Sequence, residues 1–386
     1  MRHLYILCFW LCAIRTDAQT TTQPTHYAHD ASLDKAMGNL IKREAQIDFE
    51  RTPCLAIGIV VGDSTYFYGF GTTQKGKTAA PTDSTIFEIG SVTKAFTATL
   101  LAKAVADKKM NLEDSIAAYL PDYQLLKYKN KTIRLLDLAT HTSGLPKTPF
   151  GIGIKEREAN QPYKYYTAAD IKESLHIYAP VSAPFDKYNY SHLGYDILAH
   201  TLQNVYNVKS YDALLTTQLS NSLHLINTKI ELTAAQKTRL ATGYSRAQVA
   251  MPPWVMSSFE GSLGLKSDTR DMIKYLRFQI DTPADWREAV AIATKAYHKS
   301  DARDITVGLG WHQVPVRRNY PKAIVHSGST DGFRTYMAFI RETRTGVVIM
   351  TNSEVQINGL GPLILSIINY NFKHAPKNWV SQTLQK

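Results

Sequence analysis

Phe87-Glu88-Ile89-Gly90-Ser91-Val92-Thr93-Lys94-Ala95-Phe96-Thr97 is the stretch on which the reading of this chain turns. Residues 85–90 read as extended chain, and residues 92–106, rich in Ala and Leu, as a helix buried on most sides. Ser91 therefore falls where an extended approach enters a helix. A lysine three residues on shares its helix face, about 5–6 Å away at Cβ. Desolvation would weaken that lysine's hold on its proton and make it a base for the serine hydroxyl. The first helical turn also puts the Ser91 N–H at the positive end of the helix, where a developing oxyanion is stabilised. Ser-x-x-Lys alone is a weak signal, because a capping serine and a solvated lysine give the same pattern.

Working outward, residues 56–61 and 65–70 read as a hairpin around Gly62-Asp63-Ser64. Leu33, Met37, Leu40, Ile41 and Ile47 before it have near-helical spacing. After the central stretch the signals are mainly helical to about residue 300, as over residues 133–139 and 191–206. Strands return at residues 323–326, 334–340 and 345–350, with Asp331-Gly332 as one turn, and an apolar helix over 363–370 follows. Strands at both ends around a helical block predict an α+β fold. One antiparallel sheet is built from both chain ends and flanked by helices, with an all-helical domain inserted. The expected division is residues 30–90 plus 305–386 for the sheet domain and 91–304 for the helical one.

The first residues read as a processing segment. Arg2 and His3 precede an apolar run from Leu4 to Ile14, and Ala18 stands where a signal peptidase could cut. Residues 1–18 are thus expected to be a secretory signal, too short for a membrane span, and 19–29 a flexible leader. Two of the three cysteines, Cys8 and Cys12, lie in that signal. Cys54 is left unpaired in an apolar run and reads as a small buried hydrophobe. An exported chain without disulfides points to a bacterial periplasm. The 386-residue chain carries a formal charge of +11. Loss of residues 1–18 removes Arg2, Arg15 and Asp17 and leaves +10. The basic residues are scattered and form no run with interleaved aromatics, which argues against nucleic acid. They suit anionic substrates or surfaces.

Two further motifs carry chemistry. In Tyr190-Ser191-His192, a tyrosine beside an ammonium group can be held as phenolate and act as a base. In His326-Ser327-Gly328, on a predicted strand, a backbone N–H can serve as second oxyanion donor, and Gly328 lets a substrate lie flat against the strand. No His-x-x-x-His or Cys-x-x-Cys pattern is present; His26 and His29 lie in the leader, and His192 and His200 are eight apart. Gly151-Ile152-Gly153 lacks the strand and third glycine of a phosphate loop. No cofactor and no metal are expected.

These segments, taken in order, resemble the class C β-lactamases and the related DD-peptidases and esterases, the penicillin-recognising serine hydrolases. The resemblance rests on residues 87–97, on His141-Thr142-Ser143-Gly144-Leu145-Pro146 and on Tyr190-Ser191-His192-Leu193-Gly194-Tyr195. It continues through Gly308-Leu309-Gly310-Trp311 and His326-Ser327-Gly328-Ser329-Thr330-Asp331-Gly332-Phe333, and spans about residues 30–370. It implies a β-lactamase/transpeptidase-like fold, with Ser91 as the acylated nucleophile and Lys94 sharing a proton with Ser91 and Tyr190. Tyr190 would be the base, and the N–H groups of Ser91 and Ser329 the oxyanion donors. His326 stands where many β-lactamases have lysine. His192 stands where the family usually has asparagine, which puts ordinary β-lactam side-chain recognition in doubt. Two histidines flanking the cleft would favour an anionic substrate at lower pH.

The expectation is a monomeric, secreted serine hydrolase without stable membrane insertion, acting on a small-molecule or peptidoglycan-derived substrate. β-Lactam hydrolysis leads. D-Ala-D-Ala carboxypeptidase, D-aminopeptidase and small-ester esterase activities stand beside it. A penicillin-binding sensor that acylates without turnover is the rival from another class.

Overall fold

In a computed structural model, the structure describes residues 53–121, 123, 127–149, 160–177, 183–300, 305–316, 320–355 and 359–372. The signal and leader, the helix expected over residues 33–47 and Gly151-Ile152-Gly153 lie outside them.

The N-terminal hairpin forms as its alternating apolar pattern demands. Cys54–Val61 pairs antiparallel with Ser64–Gly71 around Gly62, whose φ of 55° suits the tight turn. Cys54–Val61 then pairs on its other side with Thr345–Thr351, which continues through Arg334–Ile340 and Ala323–Ser329. Three short strands, His312–Val314, Thr306–Val307 and His298–Lys299, complete an eight-stranded antiparallel sheet. The sheet built from both chain ends is thus present, and it takes in His298–Lys299, upstream of residue 305.

Alternation sorts the side chains between two cores. On Cys54–Val61, Leu55, Ile57 and Ile59 face the terminal helix Leu360–Phe372, where they meet Ile364, Leu365 and Ile368. Cys54, Ala56 and Val60 belong to the larger core shared with the helical block. Burial pushes the Cys54 thiol up to about 12, so it behaves as a hydrophobe. The helix Thr269–Ile280 lies across Cys54–Val61 and Thr345–Thr351, although it falls in the stretch read as the inserted helical domain.

The central helix, Thr93–Ala106, is buried on nearly every side. Phe96 stacks on Tyr275 with centroids 3.9 Å apart, and Thr99 shares a 2.8 Å hydrogen bond with the Tyr275 hydroxyl. A short strand, Ile86–Glu88, pairs with Lys266–Asp268 and delivers the chain to a 3-10 turn, Gly90–Val92, just before this helix. Ser91 sits on that turn rather than in the α-helix proper.

The strand Ala323–Ser329 presses directly on this turn. A Cβ added at Gly328 would lie 1.9 Å from the Ile89 carbonyl oxygen and 3.1 Å from the Ser91 nitrogen. A Cβ at Gly90, which also has φ +49°, would lie 2.8 Å from the Ser329 nitrogen. Both glycines are therefore required by close backbone approach. Gly328→Ala is expected to destabilise the fold by about 1–3 kcal/mol, the usual cost of overpacking. Gly359→Ala, where a Cβ meets nothing within 4 Å, should be neutral. Urea denaturation of both variants checks this; equal stability of the two would mean that the strand does not bear on the turn.

Candidate active site

Ser91 opens onto a cleft of about 610 Å³ between the sheet and the helical block. The helical wall supplies Tyr190, His192 and Lys147, and the sheet wall supplies Ser327, Gly328, Ser329 and Arg334. Trp254 and Tyr163 also line it.

Lys94 is fully buried beneath Ser91, and its Nζ lies 3.5 Å from Ser91 Oγ. The same nitrogen donates to the Ser262 carbonyl at 2.7 Å and meets His192 Nδ1 at 2.9 Å. Burial pushes the Lys94 ammonium well below its usual range, and the charge of Lys147 adds to this. Burial likewise pushes the Tyr190 phenol up, opposed by its hydrogen bond with Ser91. Water exclusion thus disfavours the charged forms of both groups, the lysine ammonium and the tyrosine phenolate that the sequence pairs. Lys94 Nζ meets the Tyr190 ring, 5.1 Å from its centroid.

The segment Tyr190-Ser191-His192 is clamped by residues 141–147, the loop whose part the sequence left open. His141 is fully buried, and its Nδ1 accepts the Ser191 N–H at 3.1 Å. Its ring lies 4.3 Å from that of Tyr190. Ser191 Oγ donates to the Pro146 carbonyl at 2.7 Å and accepts the Gly194 N–H, capping the helix His192–Val205. The Lys147 carbonyl accepts the His192 N–H at 2.8 Å.

His192 is in the cleft and in direct contact with Lys94. Its Nδ1 receives the Lys94 N–H, so in that state the neutral ring carries its proton on Nε2, which has no partner among the described residues. Burial, then the charges of Lys94 and Lys147, hold it well below the usual histidine range. His326 is placed differently from a cleft-lining residue. Its ring is buried behind the cleft, 5.6 Å from His312 and 6.5 Å from Tyr190. Its Nδ1–H donates to the Ser327 carbonyl at 2.8 Å, leaving a buried Nε2 without a partner. Burial, then the charges of His312 and Lys94, lower His326 well below the usual histidine range too. The expectation that these two imidazoles lend positive charge at mildly acidic pH is opposed by burial, which weakens the proton affinity of both.

Three features escaped the sequence reading. Ser262 supplies a carbonyl to Lys94 from the short helix Glu260–Leu263. Glu88, buried, accepts the Trp254 N–H at 2.7 Å and so fixes the loop that presents Trp254 to the cleft. Arg334, one residue beyond the motif at 326–333, contributes a cation. Ser262 and Trp254 come from loop-bounded segments without periodic signal, whereas Arg334 could have been found from the register that Asp331-Gly332 imposes on its hairpin. Among the described residues, no helix is long and apolar enough to cross a membrane.

A nucleophile turn under a sheet strand, with a buried lysine three residues on, defines a serine hydrolase of the penicillin-recognising kind. The chain belongs to the beta-lactamase family, whose Beta-lactamase model matches residues 40–360. A Lysobacter lactamgenus beta-lactamase is 24% identical, covering 96% of this chain and 98% of its own length. The D-alanyl-D-alanine-carboxypeptidase/endopeptidase AmpH of Escherichia coli K12 is 27% identical over 89% of this chain and 90% of its own. The crystal structure of a beta-lactamase/D-alanine carboxypeptidase from Yersinia pestis superposes with a TM-score of 0.74 at 26% identity, covering 88% of this chain and 99% of that one.

The buried amine has a thermodynamic signature. An unfolded Lys94 binds its proton below the ordinary value of 10.5, whereas the folded protein refuses it until the pH is much lower. Between those limits unfolding takes up a proton, so the wild type gains stability as pH rises. Lys94→Met removes this term. It is expected to be more stable than wild type at pH 7, by a margin that narrows at pH 9.5, as read by urea denaturation. A margin independent of pH would mean that Lys94 folds with its proton.

Proposed function

We propose that this chain is a secreted hydrolase that works through a Ser91 acyl-enzyme, with hydrolysis of β-lactam amide bonds as the leading activity. The observation that carries the reading is the placement of the Ser91 hydroxyl in the cleft lining beside both a buried amine and a phenol. With Lys94 as the neutral amine, its two N–H bonds serve the Ser262 carbonyl and His192 Nδ1, and the remaining position, 3.5 Å from Ser91 Oγ, takes the Ser91 proton. Ser91 Oγ attacks the carbonyl carbon as its proton passes to Nζ. The N–H groups of Ser91 and Ser329, on backbones held in contact by Gly90 and Gly328, receive the oxyanion. Tyr190 gives its proton to the leaving nitrogen and is reprotonated from Lys94, which returns the amine to its resting form. Water then attacks the ester carbonyl as one of its protons passes to the same pair, and the collapse that breaks the Ser91 Oγ–acyl bond and releases the acid returns that proton to Ser91 Oγ.

A second reading is cleavage of D-amino-acid peptides. It is favoured by the carboxypeptidase/endopeptidase relative and by histidine at position 326. In both readings His192 offers its Nε2–H where the family has an amide. Residues 1–18 would direct export, and the sheet and helical units 30–90 plus 305–386 and 91–304 would form the two cleft walls.

Ser91→Ala is expected to abolish labelling by a serine-directed phosphonate, read by intact mass. Tyr190→Phe should lower kcat by at least about 10²-fold, as for lost acid–base catalysis; near-normal turnover would remove Tyr190 from the mechanism. A panel of a chromogenic cephalosporin, a D-Ala-D-Ala peptide and a p-nitrophenyl ester decides the substrate, and ester cleavage alone would sink the β-lactamase reading. His192→Asn is expected to raise kcat/KM for the cephalosporin without altering the pH profile above 6.5, because the imidazole is already neutral there.

A further inference from the structure

Away from the cleft, the described residues enclose a second hollow of about 550 Å³, and no residue lines both. It lies where the helix Thr269–Ile280 ends. The loop at Asp281-Thr282, the helix Arg287–Thr294 and Arg341, which follows the strand Arg334–Ile340, form its sides. Ile280, Val290 and Ala291 make one side apolar. The volume is in the range of hollows that hold small organic ligands.

The polar side carries two uncommitted cations. Arg287 is exposed and has no hydrogen-bond or ion-pair partner among the described residues. Arg341 is half-buried; its Nε donates to the Gln279 carbonyl at 3.1 Å, and its Cζ lies 5.6 Å from the centre of the Phe339 ring. Its Nη2 is buried and has no hydrogen-bond partner among the described residues. Burial pulls this guanidinium down from its usual range, opposed by the charge of Glu342. A buried N–H without an acceptor is costly, and more so on a charged group. The carboxylate in the lining does not supply the acceptor. Asp281 is held by Arg344, with Nε on Oδ1 at 2.8 Å and Nη2 on Oδ2 at 3.0 Å. Asp285, Glu288 and Glu342 are exposed and make no ion pair with Arg287 or Arg341 among the described residues.

A planar guanidinium matches a carboxylate through parallel N–H bonds. A carboxylate on an apolar body would answer both sides of the hollow at once. A bare phosphate would leave the apolar side in water, and an uncharged chain would leave the cations unanswered. We propose that this hollow is a binding site for an organic carboxylate with an apolar tail, its head held by Arg287 and Arg341 and its tail lying on Ile280, Val290 and Ala291. The inference goes beyond the hydrolase reading and does not depend on it. The helix Arg287–Thr294 also packs along the central helix Thr93–Ala106, so an occupant would lie one layer from the helix that carries Lys94.

The test is methyl NMR of the full chain titrated with octanoate, and separately with octanol, acetate and inorganic phosphate. Octanoate should shift the Ile280 and Val290 methyl signals saturably. The other three should bind there at least about tenfold more weakly, the scale of a lost charge-assisted hydrogen bond or of a few methylenes left in water. Arg287→Gln and Arg341→Gln should each weaken octanoate about tenfold, and Arg341→Lys should weaken it less. Arg334→Gln, in the cleft, should leave it within about twofold. Because Arg287 is exposed, its replacement decides the matter even if Arg341→Gln fails to fold. No saturable shift at Ile280 and Val290 would overturn the proposal. So would octanol, acetate or phosphate matching octanoate, or binding that survives Arg287→Gln and is lost on Arg334→Gln instead.

Discussion

The contact between the 3-10 turn at Gly90–Val92 and the strand Ala323–Ser329 governs the rest of the structure. Two backbones approach so closely there that neither Gly90 nor Gly328 can carry a Cβ without a clash. That approach brings the Ser91 and Ser329 amides to one place and closes the floor of the cleft. It also dictates what lies beneath. With the turn pinned against the sheet, the first turns of the central helix have no route to water, and Lys94 is buried outright.

Burial then sets the character of the cleft's deep side. A lysine, a tyrosine and several histidines crowd there, and each pays less when neutral than when charged. Hydrogen bonds to the Ser262 carbonyl and His192 satisfy the amine without a carboxylate. His141 holds the Ser191 backbone and so the angle of Tyr190. Two cationic side chains, Arg334 on the sheet wall and Lys147 on the helical one, line the cleft above this layer.

The sequence showed the chemistry more readily than the geometry. Ser91, Lys94 and Tyr190 stood out because their motifs occur in a fixed order, and the sheet from both ends followed from alternation and the turns at Gly62 and Asp331-Gly332. The boundary of the helical block was less legible, because Thr269–Ile280 packs on the sheet while having the period of any amphipathic helix. The setting of the histidines was illegible for a physical reason: local sequence does not reveal burial, and burial weakens an imidazole's hold on its proton. Arg334 was missed because its meaning is a register, opposite Ser329, rather than a motif. Ser262 acts through its carbonyl, which every residue possesses.

The sheet joins chain ends that are far apart. Leu55 pairs with Thr351, and the Cys54 N–H is held by the Asn352 side chain across 298 residues of sequence. Closing a ring of that length costs about 5 kcal/mol of chain entropy before a constant term. A growing polypeptide that has reached residue 320 already contains the central helix but lacks every long strand that must follow the N-terminal hairpin. Assembly of the sheet centre must therefore await synthesis through residue 351, and such non-local pairing is intrinsically slow. The cleft therefore forms late in the chain's synthesis, and a truncation that removes residues 323–351 would cost more of it than the loss of an equal length from a surface loop.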